Sequence, residues 1–277
     1  TRIMKLEMNR AWNDALRLVN VSRDVILVVA GVFFFLPYFA FSVIAPDPLT
    51  QMGAKVSTDA AVVMTRLEEF YSGYWWVILL IVIMQAIGML GLIALLTDHR
   101  RPTVAQALKI GARKMLSYLA AYILLGLVLG TAFLVLGGLA ALSGAGGLVA
   151  LVLLLALICW AFLFVRFSLV GPILVKEDVA SPLTALGRSW TLTSGNGGRL
   201  FAFFFLLFIA YGVVAMVVSL VSGTLFGLFG PQTAQFGDAL VVSVMNAGWA
   251  TVFLAILAAV HDQFAGPSPT TLSATFE

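Results

Sequence analysis

Apolar residues in this chain come in long unbroken runs, and polar residues are confined to the stretches between them. Six runs, at about residues 25–45, 74–97, 117–137, 147–171, 200–221 and 239–260, are apolar on all sides. A helix of roughly 18 or more such residues is long enough to cross the hydrocarbon core of a bilayer. Membrane β-strands would alternate apolar and polar residues over about ten positions, and these runs do not. The pattern predicts an all-α membrane protein with six transmembrane helices. The first run is expected to be a span rather than a leader, because a charged amphipathic stretch precedes it and no small-residue cleavage site ends it.

The stretches between runs carry a second pattern. "AWNDALRLVNVSRD", "PTVAQALKIGARKM" and "SPLTALGRSWTLTS" each precede an odd-numbered run, and each holds a central Ala-Leu pair: Ala15-Leu16, Ala107-Leu108 and Ala185-Leu186. Met8, Trp12, Leu16 and Val19 fall on one helical face in the first, Val104, Leu108 and Met115 in the second, and Leu183, Leu186 and Trp190 in the third. Helices of this kind lie in the membrane interface with basic residues at headgroup level. The third has a clear start signal, Ser181 as N-cap with Pro182 in the first helical position. Gly195, Gly197 and Gly198 then form a permissive elbow leading into the fifth run. The expected architecture is three parallel repeats (about 8–97, 102–171 and 181–261), each an interfacial amphipathic helix plus two spans. Together they make one membrane domain over 1–262, with a flexible tail at 263–277.

Local signals refine this layout. Gly126 and Gly130 form a G-x-x-x-G in the third run, which predicts close helix packing there. Tyr71, Tyr74, Trp75 and Trp76 read as an aromatic belt, and "STDAAVVMTRLEEFY" as an amphipathic helix capped by Ser57, Thr58 or Asp59. Turns are expected at 137–147 and 223–238, and Gly171-Pro172 is expected to break or end the fourth run.

Composition agrees with the pattern: 61% of residues are hydrophobic and 10% charged, against about 25% charged in soluble domains. Arg2, Lys5, Arg10, Arg17 and Arg23 precede the first run; Arg100, Arg101, Lys109, Arg113 and Lys114 lie between runs two and three; Lys176, Arg188 and Arg199 lie between runs four and five. The opposite side holds Lys55 and Arg66. Positive residues stay on the cytoplasmic side, so both termini are expected in the cytoplasm. The net charge of +3 expresses this asymmetry and is no argument for nucleic acid. Cys159, inside the fourth run, can form no internal disulfide and reads as a packing residue.

The search for chemistry is mostly negative. "TSGNGG" has neither the Lys nor the preceding strand of a phosphate loop. His99 and His261 sit at run boundaries and read as interfacial residues rather than a metal pair, and no Gly-x-Ser-x-Gly occurs. Glu68 and Glu69 are adjacent on a helix and point apart, so they make a poor acid–base pair. Polar residues inside the runs are functional candidates. They are Gln85, Asn246 and Arg166, the last close enough to the boundary to snorkel. No mid-membrane carboxylate of the kind an ion-coupled carrier uses is present, and no metal or cofactor is expected.

"VRFSLVGPILVKEDVASPLTALGRSWTLTSGNGGRLF" (165–201) resembles the signature region of the glycerophosphoryl diester phosphodiesterase membrane-domain family. The positions that carry the resemblance are Pro172, Glu177, Ala185, Leu186, Arg188, Ser189, Trp190, Leu192 and Thr193. Outside these roughly 35 residues the likeness is one of six-span layout only. The resemblance implies a polytopic protein of the bacterial inner membrane. The catalytic barrel to which that family is sometimes fused is not expected within these 277 residues.

The reading that follows is a non-catalytic inner-membrane protein that engages phospholipids or a membrane-protein partner in envelope homeostasis or assembly. Arg188, Arg199, Arg166, Lys109 and Arg113 are its candidate headgroup contacts. Two alternatives stand beside it. One is a transporter or permease component for a lipid-like or uncharged substrate, using Gln85 and Asn246. The other is a membrane enzyme acting on phosphodiesters.

Overall fold

The structure, a computed structural model, describes residues 5–45, 60–97 and 102–265. Among them it contains helices and no strand. The helices are α1 (Met8–Val21), α2 (Arg23–Ala30), α3 (Leu36–Ile44), α4 (Ala60–Thr97), α5 (Val104–Leu142), α6 (Gly146–Phe167), α7 (Val170–Lys176), α8 (Pro182–Thr193), α9 (Gly197–Gly227) and α10 (Pro231–Ala265). Six stretches are long and apolar enough to cross a membrane: Arg23–Ile44, Val62–Thr97, Val104–Leu142, Gly146–Lys176, Gly197–Gly227 and Pro231–Ala265.

Two of these stretches are interrupted, and proline explains both interruptions. Pro37 sits in the first turn of α3. It has no N–H to give the Phe33 carbonyl, and its ring crowds that turn. The chain answers with a π-helical turn over Gly31–Phe35, in which the Leu36 N–H reaches back to the Gly31 carbonyl. Pro172 acts likewise on Ser168, so the fourth stretch breaks between α6 and α7 at Ser168–Leu169. The break precedes Gly171-Pro172 rather than falling on it, because the carbonyl a proline leaves unbonded lies four residues upstream.

Elsewhere helices run through expected boundaries. The second surface stretch is the opening of α5, continuous with the third span, so it is not a separate interfacial helix. Nothing in it breaks a helix, and a Thr103–Gln106 capping box starts it firmly. The amphipathic segment that precedes the second span is likewise continuous with it in α4, and its suggested caps Ser57, Thr58 and Asp59 lie outside the described residues. The turn expected at 137–147 shrinks to Ser143–Ala145, with Gly144 at φ 68°. The turn expected at 223–238 shrinks to Leu228–Gly230, with Gly230 at φ 102° and Pro231 opening α10. The tail boundary also moves: α10 continues through Gln263 to Ala265.

The core gathers at one end of the bundle, the end that carries most of the basic residues. There Leu254–His261 of α10 are buried on every side, as are Val170–Leu174 of α7 and Leu92–Leu96 of α4. α10 packs against α9, α1, α3, α4 and the π-turn. Toward the other end α5, α6 and α9 are largely unpacked, with Leu134 78% and Leu142 86% exposed. Side chains so apolar and so open are suited to lipid rather than water.

The closest helix crossing is α4 with α5. A Cβ at Gly111 would meet the Ile87 carbonyl oxygen and lie 2.9 Å from the Gly91 amide nitrogen. Gly88 lies as closely against Phe33 of the π-turn. The G-x-x-x-G at Gly126 and Gly130, by contrast, has no atom within 4 Å of either Cβ position, so the expected close packing is not made there. The difference is one of position: residues 107–111 lie in the packed end of α5 and 126–130 in its open part.

Candidate functional site

The region that stands out in the sequence is assembled where α6 breaks. A helix ends with four carbonyls that have no partner within the helix. At the end of α6, side-chain hydroxyls take up three of them. Ser168 Oγ donates to the Val165 carbonyl at 2.9 Å, Tyr122 of α5 to Phe167 at 3.3 Å, and Ser189 of α8 to Arg166 at 2.7 Å. Thr193 also lies 3.4 Å from the Arg166 carbonyl, but its hydroxyl donates at 2.9 Å to the Ser189 carbonyl of its own helix. Ala185, Ser189 and Thr193 recur every fourth residue, so they form one face of α8, and all three are fully buried. The sequence pattern singled out another face of this stretch, Leu183, Leu186 and Trp190, and gave no sign that the small-residue stripe caps another helix.

The other face of α8 is ionic. Arg188 Nε donates to Glu177 at 2.9 Å, and Glu177 also meets His261 Nε2 at 3.1 Å. Glu177 thereby ties the end of α7 to α8 and to α10. The His261 hydrogen bond, followed by Arg188, holds the Glu177 carboxyl below its usual value against the partial burial that would raise it. Beside this, Lys176 pairs with Asp262, and Lys114 pairs with Asp178 at 2.6 Å while donating to the Val179 carbonyl at 3.1 Å. Lys114 holds the exposed Asp178 carboxyl low as well. Asp178 adopts φ 51°, a left-handed conformation at the end of α7 that Asp tolerates better than most residues.

Of the candidate cations, Arg188 is therefore engaged with Glu177. Arg166 donates from Nη1 to Ser194 Oγ at 3.1 Å, and its guanidinium lies over Trp190 at 4.6 Å and Phe162 at 5.2 Å. Its Nε is buried and has no acceptor. Arg199, Lys109 and Arg113 are exposed, and among the described residues none of these three, nor Arg166, has a carboxylate within 4.0 Å. The structure thus brings Arg166 and Arg188 onto opposite sides of α8 and leaves Lys109 and Arg113 on the outside of α5.

Among the family-motif positions, Pro172 and Ala185 are buried, Leu186 and Leu192 pack against the core, and Trp190 is 40% exposed over Arg166. Gln85 and Asn246 are half-buried, and among the described residues neither makes a side-chain hydrogen bond. His99 lies outside the described residues. His261, read as an interfacial residue, is 3% exposed and bonded to Glu177. Its partner sits 84 positions away, a separation that carries no periodic signal.

The N-terminal segment closes the region. The Leu6 N–H donates to Asn196 Oδ1 at 3.2 Å, inside the glycine elbow, and Leu6 is 4% exposed. Glu7 and Gln263 exchange two bonds, Glu7 N–H to Gln263 Oε1 at 3.2 Å and Gln263 Nε2 to the Glu7 carbonyl at 3.3 Å. Among the described residues no three His, Cys, Asp or Glu side chains converge as a metal-ligand set. Comparison with protein families, with curated proteins and with solved structures finds no match to this chain.

Proposed function

We propose that this chain is a non-catalytic polytopic protein of the bacterial inner membrane that engages phospholipid headgroups, or a membrane partner, at its basic end, in support of envelope homeostasis or assembly. One observation carries the reading. At the basic end Glu177, Asp178 and Asp262 are each tied to a cation or to His261 across helices, whereas Lys109, Arg113, Arg166 and Arg199 at the same end keep no carboxylate among the described residues. A surplus of unpaired positive charge at the end of an apolar bundle suits anionic headgroups. Both termini are assigned to the cytoplasm on the same charge asymmetry.

The repeat belongs to this reading too. Each amphipathic stretch packs on the second span of the preceding unit, taken cyclically: α1 on α10, the start of α5 on α4, and α8 on α6 and α7. The shared alanines Ala15, Ala107 and Ala185 are each 2% exposed or less. This supports three parallel copies of one unit, and the resemblance of 165–201 to the phosphodiesterase membrane-domain family supports the same class.

Gln85 and Asn246 favour the transport alternative, since a carboxamide without a partner inside an apolar span suits a polar ligand or water. The solid packing around Leu254–His261 favours a scaffold over a conduit. Native mass spectrometry of the gently extracted protein tests the proposal. A discrete retained phospholipid is the expected result, and a chain that carries none, under conditions that keep it folded, overturns it.

A further inference from the structure

The unpaired cations are not spread evenly. Arg166 reaches the elbow between α8 and α9 from one side: its Nη1 holds Ser194, and a Cβ at Gly197 would lie 4.0 Å from its Cζ. Arg199 stands on the first turn of α9, its Cα about 5.4 Å from that of Gly197 by helix geometry. Lys5, exposed, adjoins Leu6, whose N–H is bonded to Asn196 in the same elbow. Among the described residues none of the three has a carboxylate within 4.0 Å, and Glu7, the acid nearest in sequence, pairs with none of them.

Arg166, Arg199 and Lys5 thus stand on or beside one turn, each without an acid. The first turn of α9 offers no acidic residue to relieve them, and its amides add to the positive field. The neighbouring cations Lys114, Lys176 and Arg188 each have an acid within the fold. Arg166 is also held rather than mobile, stacked on Trp190 and Phe162 with Nη1 anchored on Ser194; its Nε is buried out of reach, so the donors it can still offer lie on the Nη edge. A planar guanidinium fixed in this way, with donors left over, suits the two-oxygen edge of a phosphate.

Building on the headgroup-engaging function proposed above, we infer that the Ser194–Arg199 elbow, with Arg166, Arg199 and Lys5 around it, binds the phosphodiester of an anionic phospholipid. Arg188 lies outside this site because Glu177 already satisfies it. The ligand class follows from the charges. A zwitterionic headgroup brings an ammonium into a cationic cluster and is disfavoured, whereas phosphatidylglycerol brings only the phosphate charge. Arg166 snorkels from the last turn of α6, and Trp190 beside it is half-exposed, both of which suit the depth of the phosphate layer.

The test uses the full chain in mixed micelles holding equal phosphatidylglycerol and phosphatidylethanolamine, read by native mass spectrometry. The wild-type chain is expected to retain phosphatidylglycerol preferentially. Arg199→Gln is expected to lower that retention about tenfold, the scale of one charge-assisted contact. Arg17→Gln, which removes the same charge from the exposed face of α1, where Arg17 pairs with Asp14, leaves it unchanged. Arg166→Lys keeps the charge but not the planar fork, and lowers retention with the fold intact by circular dichroism. Equal losses from Arg199→Gln and Arg17→Gln overturn the site in favour of diffuse surface charge. Undiminished retention in Arg199→Gln also overturns the site and leaves the broader lipid reading standing. A wild type that retains no phospholipid overturns both. Glycerol 3-phosphate is the last arm: displacement of the lipid by this soluble ester overturns the assignment to an intact lipid, and persistence of the lipid supports it.

Discussion

Replacing Gly111 with Ala tests the packed end of the bundle most directly. The new methyl would stand 2.9 Å from the Gly91 amide nitrogen and closer still to the Ile87 carbonyl oxygen, both backbone atoms of α4. Neither can rotate away as a side chain would. Ordinary contact requires about 3.5 Å or more, so α4 and α5 must part by at least about 0.6 Å along a crossing where Ala107 is fully buried. Overpacking of this kind costs about 1–3 kcal/mol, which at about 2–4 °C per kcal/mol lowers the melting temperature by roughly 2–12 °C. Gly126→Ala is the matched control. Nothing lies within 4 Å of its Cβ position, and alanine improves helix propensity by up to about 1 kcal/mol, so its melting temperature is expected to hold or rise. Unfolding in mild detergent is followed by circular dichroism and by labelling of Cys159, the chain's one thiol. The reasoning fails if Gly111→Ala melts within 1 °C of the wild type, or if Gly126→Ala falls as far.

Two further outcomes follow from the junction of α6, α7, α8 and α10. Glu177→Gln is expected to cost about 1–2 kcal/mol at neutral pH, by weakening both the Arg188 and His261 bonds. Because the folded protein holds the Glu177 carboxyl below its unfolded value, that contribution is complete above the ordinary carboxylate pKa of about 4.3 and disappears as pH falls through the folded value. The gap in melting temperature between wild type and variant should therefore close in acid, and a gap unchanged down to about pH 3 would contradict an ionised Glu177. Ser189→Ala removes the 2.7 Å cap on the Arg166 carbonyl and is expected to cost about 1–2 kcal/mol in denaturant titration. Thr193→Val should cost less, since its bond to the same carbonyl is 3.4 Å long and Ser189 remains; the reverse order would remove Ser189 from the capping role.

How much was legible depended on the range of each signal. Ser181 and Pro182 start α8 as their types require, and the Ser181 hydroxyl accepts from the Thr184 amide at 3.5 Å. The Thr103–Gln106 capping box was equally readable, but the amphipathic pattern around it suggested a separate helix where the chain has one 39-residue helix. Periodicity describes which face is apolar and says nothing about whether the axis bends. Arg188 looked like a free headgroup contact because the acid that takes it, Glu177, lies 11 residues upstream beyond a helix end, outside any helical register. The G-x-x-x-G at 126–130 has the form of a packing motif, but whether it packs depends on which neighbour is present at that height.

Hydrophobic run length by itself determined the helical class and the six stretches able to cross a membrane, because an apolar environment requires each backbone to satisfy its own hydrogen bonds. Local chemistry also settled the start of α8 and signalled the interruption near Pro172, since caps and missing N–H groups act within about four residues, though the interruption ahead of Pro37 went unread. Only the tertiary structure decided which end of the bundle is packed. It alone placed the Ser189 hydroxyl on another helix's carbonyl, spent Glu177 on Arg188 and His261, and left Arg166 and Arg199 without an acid. The hydrogen bonds among them join residues 11 to 84 positions apart, and over such separations a sequence records which groups are available but not which of them meet.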